Sequence, residues 1–230
     1  MFFRDQQYSK ALEVFKSMDR NFWKNNYEYA SYLPLTPITY TGTIPNANLT
    51  KASYSVTSKL LITHDVVNIE NKITTSRDNE VQANAHFNLA NVQYNTSYHG
   101  KAWMMFSYGK SSNEPVEQDQ YPDFLWGFYN FWPNNLRYGD NYYMCKSASD
   151  NYAKGFALSA NKELKAKCLL GILTCKRLTN GISKIEKLPY LHRNKPSPYV
   201  QQLKNYQNTN SFKEAEVHCP DIREYLSKLK

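Results

Sequence analysis

Between residues 80 and 108 apolar positions recur at every second residue. Val81, Ala83, Ala85, Phe87 and Leu89 alternate with Gln82, Asn84, His86 and Asn88, and Ala102, Met104, Phe106 and Tyr108 resume the pattern. A period of two sets one group on a dry face and the other on a wet one, which predicts strands of an antiparallel sheet. The small Ala83 and Ala85 leave room on the dry face for a taper or a cavity. Upstream, Tyr54, Val56, Ser58, Leu60 and Ile62 alternate with Ser53, Ser55, Thr57, Lys59 and Leu61, giving a long strand with 66–73 as its hairpin partner. Further strands are expected over 27–33, 38–44, 93–109, 138–146, 152–158 and 166–177, the last apolar on both faces. About eight to ten strands are enough to close a barrel.

Both ends change period. Tyr8, Leu12, Phe15, Met18 and Phe22 fall near helical spacing and predict a helix over 5–19. Near the other end, Lys195-Pro196-Ser197-Pro198 opens a short helix, and Ser211-Phe212-Lys213-Glu214 has the form of a capping box. Ile222, Tyr225, Leu226 and Leu229 make one stripe of a last helix. The expected architecture is mainly β: a single antiparallel up-and-down barrel with its N-terminal helix over 1–195, and a helical extension over 196–230 packed on the barrel or on a partner.

Aromatic content sharpens this picture. Of the 230 residues 15% are aromatic, and Phe124, Leu125, Trp126, Phe128, Tyr129, Phe131 and Trp132 crowd one short stretch. Such a block is either a ligand-stacking wall or a buried strand and turn that anchors the core. A mean hydropathy of −0.68 goes with no apolar run approaching the roughly 18 residues of a membrane span. The first residues, Met1-Phe2-Phe3-Arg4-Asp5, lack the apolar core of a signal peptide, so a secreted form would have lost its leader.

The net charge of +8 is unevenly placed. Residues 1–145 hold 12 Lys/Arg against 13 Asp/Glu, whereas 146–230 hold 16 against 7. That asymmetry suits either a docking surface for an anionic partner or a solvated basic region. Lys146, Lys154, Lys162, Lys165, Lys167 and Lys176 are spread singly with no Arg-rich run, which disfavours nucleic acid.

Cys145, Cys168, Cys175 and Cys219 all lie in the second half. An even count suits disulfides, and the sequons Asn48-Leu49-Thr50 and Asn95-Thr96-Ser97 suit a secretory route; free buried thiols are the intracellular alternative. The interval from Cys168 to Cys175 is too long for a zinc knuckle, so no metal is expected.

Two stretches resemble the lipocalins. One is Asn21-Phe22-Trp23-Lys24-Asn25-Asn26-Tyr27-Glu28-Tyr29-Ala30-Ser31-Tyr32-Leu33-Pro34, similar to that family's opening strand. The other runs from Asn141-Tyr142-Tyr143-Met144 through Asp150-Asn151-Tyr152-Ala153-Lys154-Gly155-Phe156-Ala157-Leu158 to Leu169 and Arg177. The resemblance implies an eight-stranded barrel holding a small apolar molecule, with Trp23 closing the barrel end beneath Arg177. In this chain the family's Gly before the Trp is replaced by Asn21-Phe22, and two residues are inserted before Tyr27.

No phosphate-binding loop, paired-histidine zinc motif or nucleophile elbow occurs, and the five histidines are scattered. The chain therefore reads as non-enzymatic and cofactor-free. The first expectation is a carrier of a lipid or pigment lined by Ala83, Ala85, Phe87, Met104, Phe106, Trp126 and Phe156. The alternative is a structural subunit of a large viral or organellar assembly, docked on protein neighbours through the basic end.

Overall fold

The segment with the clearest alternation is a helix. Asn79–Asn95 (α3) carries two apolar stripes at helical spacing: Ala83, Phe87 and Ala90 along one side, Ala85, Leu89 and Val92 along another. Each stripe steps by four and then three residues, and the two are offset by two. Interleaved, they read along the chain as a period of two over 83–89. The Asp78 carboxylate starts the helix by accepting from the amides of Glu80 (2.8 Å) and Val81 (3.4 Å).

The computed structural model describes residues 2–19, 58–97, 99–100, 102–103, 141, 145–182 and 198–218. Among these no strand occurs, and the expected mainly β barrel is replaced by helices: α1 (Tyr8–Ser17), α2 (Ser58–Thr75), α3, α4 (Lys146–Leu158), α5 (Lys162–Ile182), α6 (Pro198–Leu203) and α7 (Asn210–His218), with a 3-10 turn at Lys204–Tyr206. The eight-stranded barrel implied by the lipocalin resemblance has no counterpart here. The expected helix at the N-terminal end is present as α1, and the Pro-flanked helix near 198 as α6. Strands expected over 27–33 and 38–44 lie outside the described residues, as does the final helix near 220–229.

The predicted strand over 54–62 and its return over 66–73 fall, from residue 58 onward, on one continuous helix. In α2, Ile62, Val66 and Ile69 are buried, with Ile73 on the same stripe, and they meet Tyr8 and Ala11 of α1 and the Ala85, Leu89 and Val92 stripe of α3. The other stripe of α3 packs on Ala148 and Tyr152 of α4 and, beyond them, on Leu164, Cys168 and Ile172 of α5. A third cluster joins Leu169 and Leu170 of α5 to Leu203, Phe212 and Ala215. Described helices adjacent in sequence are thus adjacent in space, from α1 through α5, with α6 and α7 against α5. The stretch 166–177 is apolar on both faces because it separates two cores.

Close approach depends on small residues. A Cβ on Gly155 of α4 would stand 3.1 Å from the Ala83 carbonyl and 3.2 Å from Cys168 Sγ. On Gly171 of α5 it would stand 2.7 Å from the Tyr152 ring, whose hydroxyl donates to Asn91 Oδ1 at 2.7 Å. The room read from Ala83 and Ala85 is filled by neighbouring helices.

Two carboxylates tie the turns. Glu80 of α3 accepts from Ser159 Oγ (2.9 Å) and from the amides of Ala160 and Asn161 in the α4–α5 turn, where Asn161 Oδ1 caps α5. Glu163 accepts from the amides of Asn210 (2.9 Å) and Ser211 (3.0 Å) and from the Ser211 hydroxyl, capping α7 from another helix. The expected capping box at 211–214 is therefore displaced: α7 begins one residue earlier, Thr209 Oγ1 accepts from the Phe212 amide, and Ser211 serves Glu163.

Two measurements check this architecture. Gly171→Val drives a branched side chain into the Tyr152 ring and displaces its hydroxyl from Asn91, and the expected loss in chemical denaturation is about 1–3 kcal/mol. An undiminished midpoint would show that α4 does not sit on α5 at that level. The second measurement is a pH series. Amides of Ala160 and Asn161 and the Ser159 hydroxyl hold Glu80 below the ordinary carboxylate range, against some burial and Asp78. For Glu163, burial raises the pKa but is outweighed by Ser211, Asn210 and Lys167, so it too lies low. Carboxylates depressed in the folded state contribute stability above their unfolded pKa of about 4.3 and lose it as pH falls through the folded value. The chain should lose stability on acidification from pH 5, and E80Q/E163Q should be less stable at neutral pH with a flatter acid limb. A mutant limb as steep as the parent's contradicts the assignment.

Candidate functional site

Four polar positions of α3, His86, Asn91, Gln93 and Asn95, are buried along with the apolar stripes, and buried polar groups need partners. His86 Nδ1 lies 2.8 Å from Asn151 Oδ1 on α4, and Asn151 Nδ2 donates to Gln93 Oε1 at 2.9 Å and to the Ser147 carbonyl at 3.0 Å. Gln93 Nε2 in turn donates to the Tyr8 hydroxyl of α1 at 3.5 Å. A line of hydrogen bonds thus crosses from α4 through α3 to α1. Burial, together with the Lys154 charge, holds His86 below its usual pKa against the Asn151 contact, so the ring is neutral at pH 7. Burial, helped by Glu70 and opposed by Gln93, pushes Tyr8 well above the ordinary phenol value.

The line ends at a polar cleft. Phe3, Arg4, Gln6 and Tyr8 form one wall, and Gln93, Thr96, Ser97 and Asn141 the other, around about 20 Å³, room for one water-sized molecule. The end of α3 shapes it: Thr96 Oγ1 returns to the Val92 carbonyl (2.7 Å) and Ser97 Oγ to the Tyr94 carbonyl (2.6 Å). Asn141 Oδ1 accepts from the amide (3.3 Å) and hydroxyl of Ser147 in the first turn of α4.

Behind Ser97 lies a thiol. Cys145 Sγ donates to Ser97 Oγ at 3.3 Å, and Cys175 of α5 belongs to the same buried cluster as Cys145. Cys145 takes φ 50° and ψ 31°, the left-handed region that glycine and asparagine enter most readily. It immediately precedes α4, and its side chain is fully buried.

The residues singled out from the sequence are divided among these cores. Ala83, Phe87 and Phe156 belong to the α3–α4–α5 cluster, and Ala85 to the α1–α2–α3 cluster, so they line no common interior. The Phe87 and Tyr152 rings are 5.9 Å apart; Phe156 meets Tyr206 edge-on at 6.1 Å, with Lys165 Nζ 5.0 Å from its centroid. Met104, Phe106, Trp126, Trp23 and Cys219 lie outside the described residues. Arg177 is part of helix α5 where a closing strand was expected. Of the cysteines considered for disulfides, Cys145, Cys168 and Cys175 are free, buried thiols within the α3–α4–α5 cluster.

Sequence reasoning passed over Arg4, Tyr8, Gln93, Ser97 and Asn141 as a group. The available signal was the seven-residue interval from His86 to Gln93, two helical turns, which puts both on one side of α3. Among the described residues no three His, Cys, Asp or Glu side chains converge to hold a metal, and no helix is long and apolar enough to cross a membrane. What the arrangement offers chemically is hydrogen bonding to a very small polar molecule. Comparison with protein-family models, curated proteins and solved structures finds no match to this chain.

Proposed function

We propose that this chain is a non-enzymatic docking protein, a structural or accessory subunit of a larger assembly that offers its basic C-terminal half to an acidic protein neighbour. One observation carries the reading: much of the charge excess sits on a packed helical hairpin. Residues 146–182, α4 and α5 with their turn, hold seven Lys/Arg against two Asp/Glu, while α1, α2 and α3 together balance at four against four. Lys154 and Lys162 are exposed on that hairpin. Lys146 is exposed too but is matched by Asp150 one turn on, at 2.9 Å, and Lys165 lies over Phe156. A helix-borne array presents its charges at fixed spacing, which suits recognition of a surface of opposite sign. The interior also favours a scaffold over a carrier, because the small residues of α3 admit helices.

A titration of the full chain with a glutamate homopolymer tests this. Binding should weaken steeply between about 50 and 200 mM salt, and K154E/K162E should weaken it a further three- to tenfold or so at the lower salt. Binding that is flat across the salt series, or indifferent to the double charge reversal, would sink the reading. Tighter binding to single-stranded DNA than to the acidic polymer would transfer the surface to nucleic acid.

A further inference from the structure

We propose that the polar cleft is a binding site for one small monovalent anion, of halide or formate size, recognised by the Arg4 guanidinium together with the Tyr8 hydroxyl. The inference does not rest on the docking reading, whose basic surface is the α4–α5 hairpin. The direction of the hydrogen bonds carries it. Asn151 Nδ2 donates to the Ser147 carbonyl, which can only accept, so Oδ1 of that amide is what meets His86, and the imidazole carries its proton on Nδ1. The other Nδ2 hydrogen of Asn151 goes to Gln93 Oε1, so Gln93 turns Nε2 toward the Tyr8 hydroxyl. Every donor along the line thus points the same way, from His86 toward α1, and the last of them is the Tyr8 O–H.

That proton is the one the protein leaves over. The Tyr8 oxygen accepts from Gln93, and among the described residues no acceptor takes its hydrogen. Tyr8 is 3% exposed and Gln93 8%, and both line the cleft, so the cleft is where the proton can find an acceptor; a buried donor left without one costs free energy. Burial, with Glu70 acting in the same direction, keeps the hydroxyl protonated well beyond neutrality, and Glu70 itself does not line the cleft. Hydrogen bonds in one direction polarise each other, which strengthens the terminal donor.

The other walls add hydrogens and few lone pairs. Ser97 Oγ is fully engaged: it donates to the Tyr94 carbonyl and accepts from Cys145 Sγ and from the His99 amide, both at 3.3 Å. Gln93 Oε1 and Asn141 Oδ1 are taken by Asn151 and Ser147, which leaves one hydrogen on Gln93 Nε2 and two on Asn141 Nδ2. Thr96 Oγ1 keeps lone pairs and the Gln6 amide can present either end, but the surplus is of donors. Among the described lining residues Arg4 carries the one charge, which excludes cations and matches a single negative charge. A volume of about 20 Å³ admits a halide or the end of a formate and is too small for sulfate or phosphate.

The test is a titration of the isotope-labelled full chain with sodium chloride, sodium formate and sodium sulfate, compared at equal ionic strength, with the Gln93 side-chain amide resonance as the readout. Chloride, formate or both should shift it saturably, and sulfate should not. Whichever of the two binds more tightly assigns the site to a halide or to a carboxylate. Tyr8→Phe, which keeps the ring and removes the proton, should weaken binding about fivefold, the loss of one hydrogen bond, and Arg4→Gln at least about tenfold. Lys16→Gln, which removes an equal charge from an exposed position near the end of α1, should leave it unchanged. A resonance that saturates with neither monovalent anion means that the cleft holds water only, and it overturns the proposal. Sulfate binding as tight as the monovalent anions does the same, as does undiminished binding in Tyr8→Phe or a loss in Lys16→Gln equal to that in Arg4→Gln. The wild-type titration decides even where a variant fails to fold.

Discussion

The double burial of α3 is the constraint on which the described structure depends. A helix buried on one side can place bulky residues there and leave the rest to solvent. Buried on two sides, α3 must let helices approach twice, and it does so with Ala83 and Ala90 toward α4 and Ala85 toward α1 and α2. One lane between the stripes, the one that holds His86 and Gln93, is covered as well, whereas Val81 and Asn84 on the other side are exposed. His86, Asn91 and Gln93 would each cost free energy if buried without partners, so α4 and α1 supply Asn151, Tyr152 and Tyr8. The same demand that compacts the helices thus creates the hydrogen-bonded line that ends in the cleft.

Register along that line is fixed from outside the helices. Glu80 leaves the first turn of α3 to bind the α4–α5 turn, and Glu163 leaves the first turn of α5 to cap α7. Each carboxylate satisfies amides that would otherwise face solvent at a turn or a helix start. A slide of α4 along α3 by one turn, about 5.4 Å, would break the Glu80 contacts and move Gly155 away from Ala83. Polar ties at the ends and small residues in the middle therefore select one alignment.

The helical character was in part legible and was masked by that double burial. α1 shows a single stripe, from Tyr8 through Ala11 and Leu12 to Phe15, and its period is plain in the sequence. In α3 two such stripes interleave, and over 83–89 every apolar residue falls on an odd number, which imitates a strand. Asp78 ahead of Glu80, and the Ala, Asn and Gln content of 79–95, argue for helix, since these residues pack poorly on a pleated face. For 166–177, an apolar run on both faces fits a buried strand or a buried helix, and its continuation from Lys162 to Ile182 decides for helix. The cleft was not legible, because Arg4, Gln93 and Asn141 meet only once three helices are packed.

The placing of the three described cysteines has a simple origin in the hairpin. Cys145 and Cys175 lie fifteen residues to either side of Ala160, in the turn, and an antiparallel pair of helices brings positions equidistant from its turn to the same level. Cys168 is only eight residues beyond Ala160, so it falls halfway along the hairpin, against Gly155. The three thiols thus differ in neighbours because they differ in distance from one turn, and that turn is the one held by Glu80.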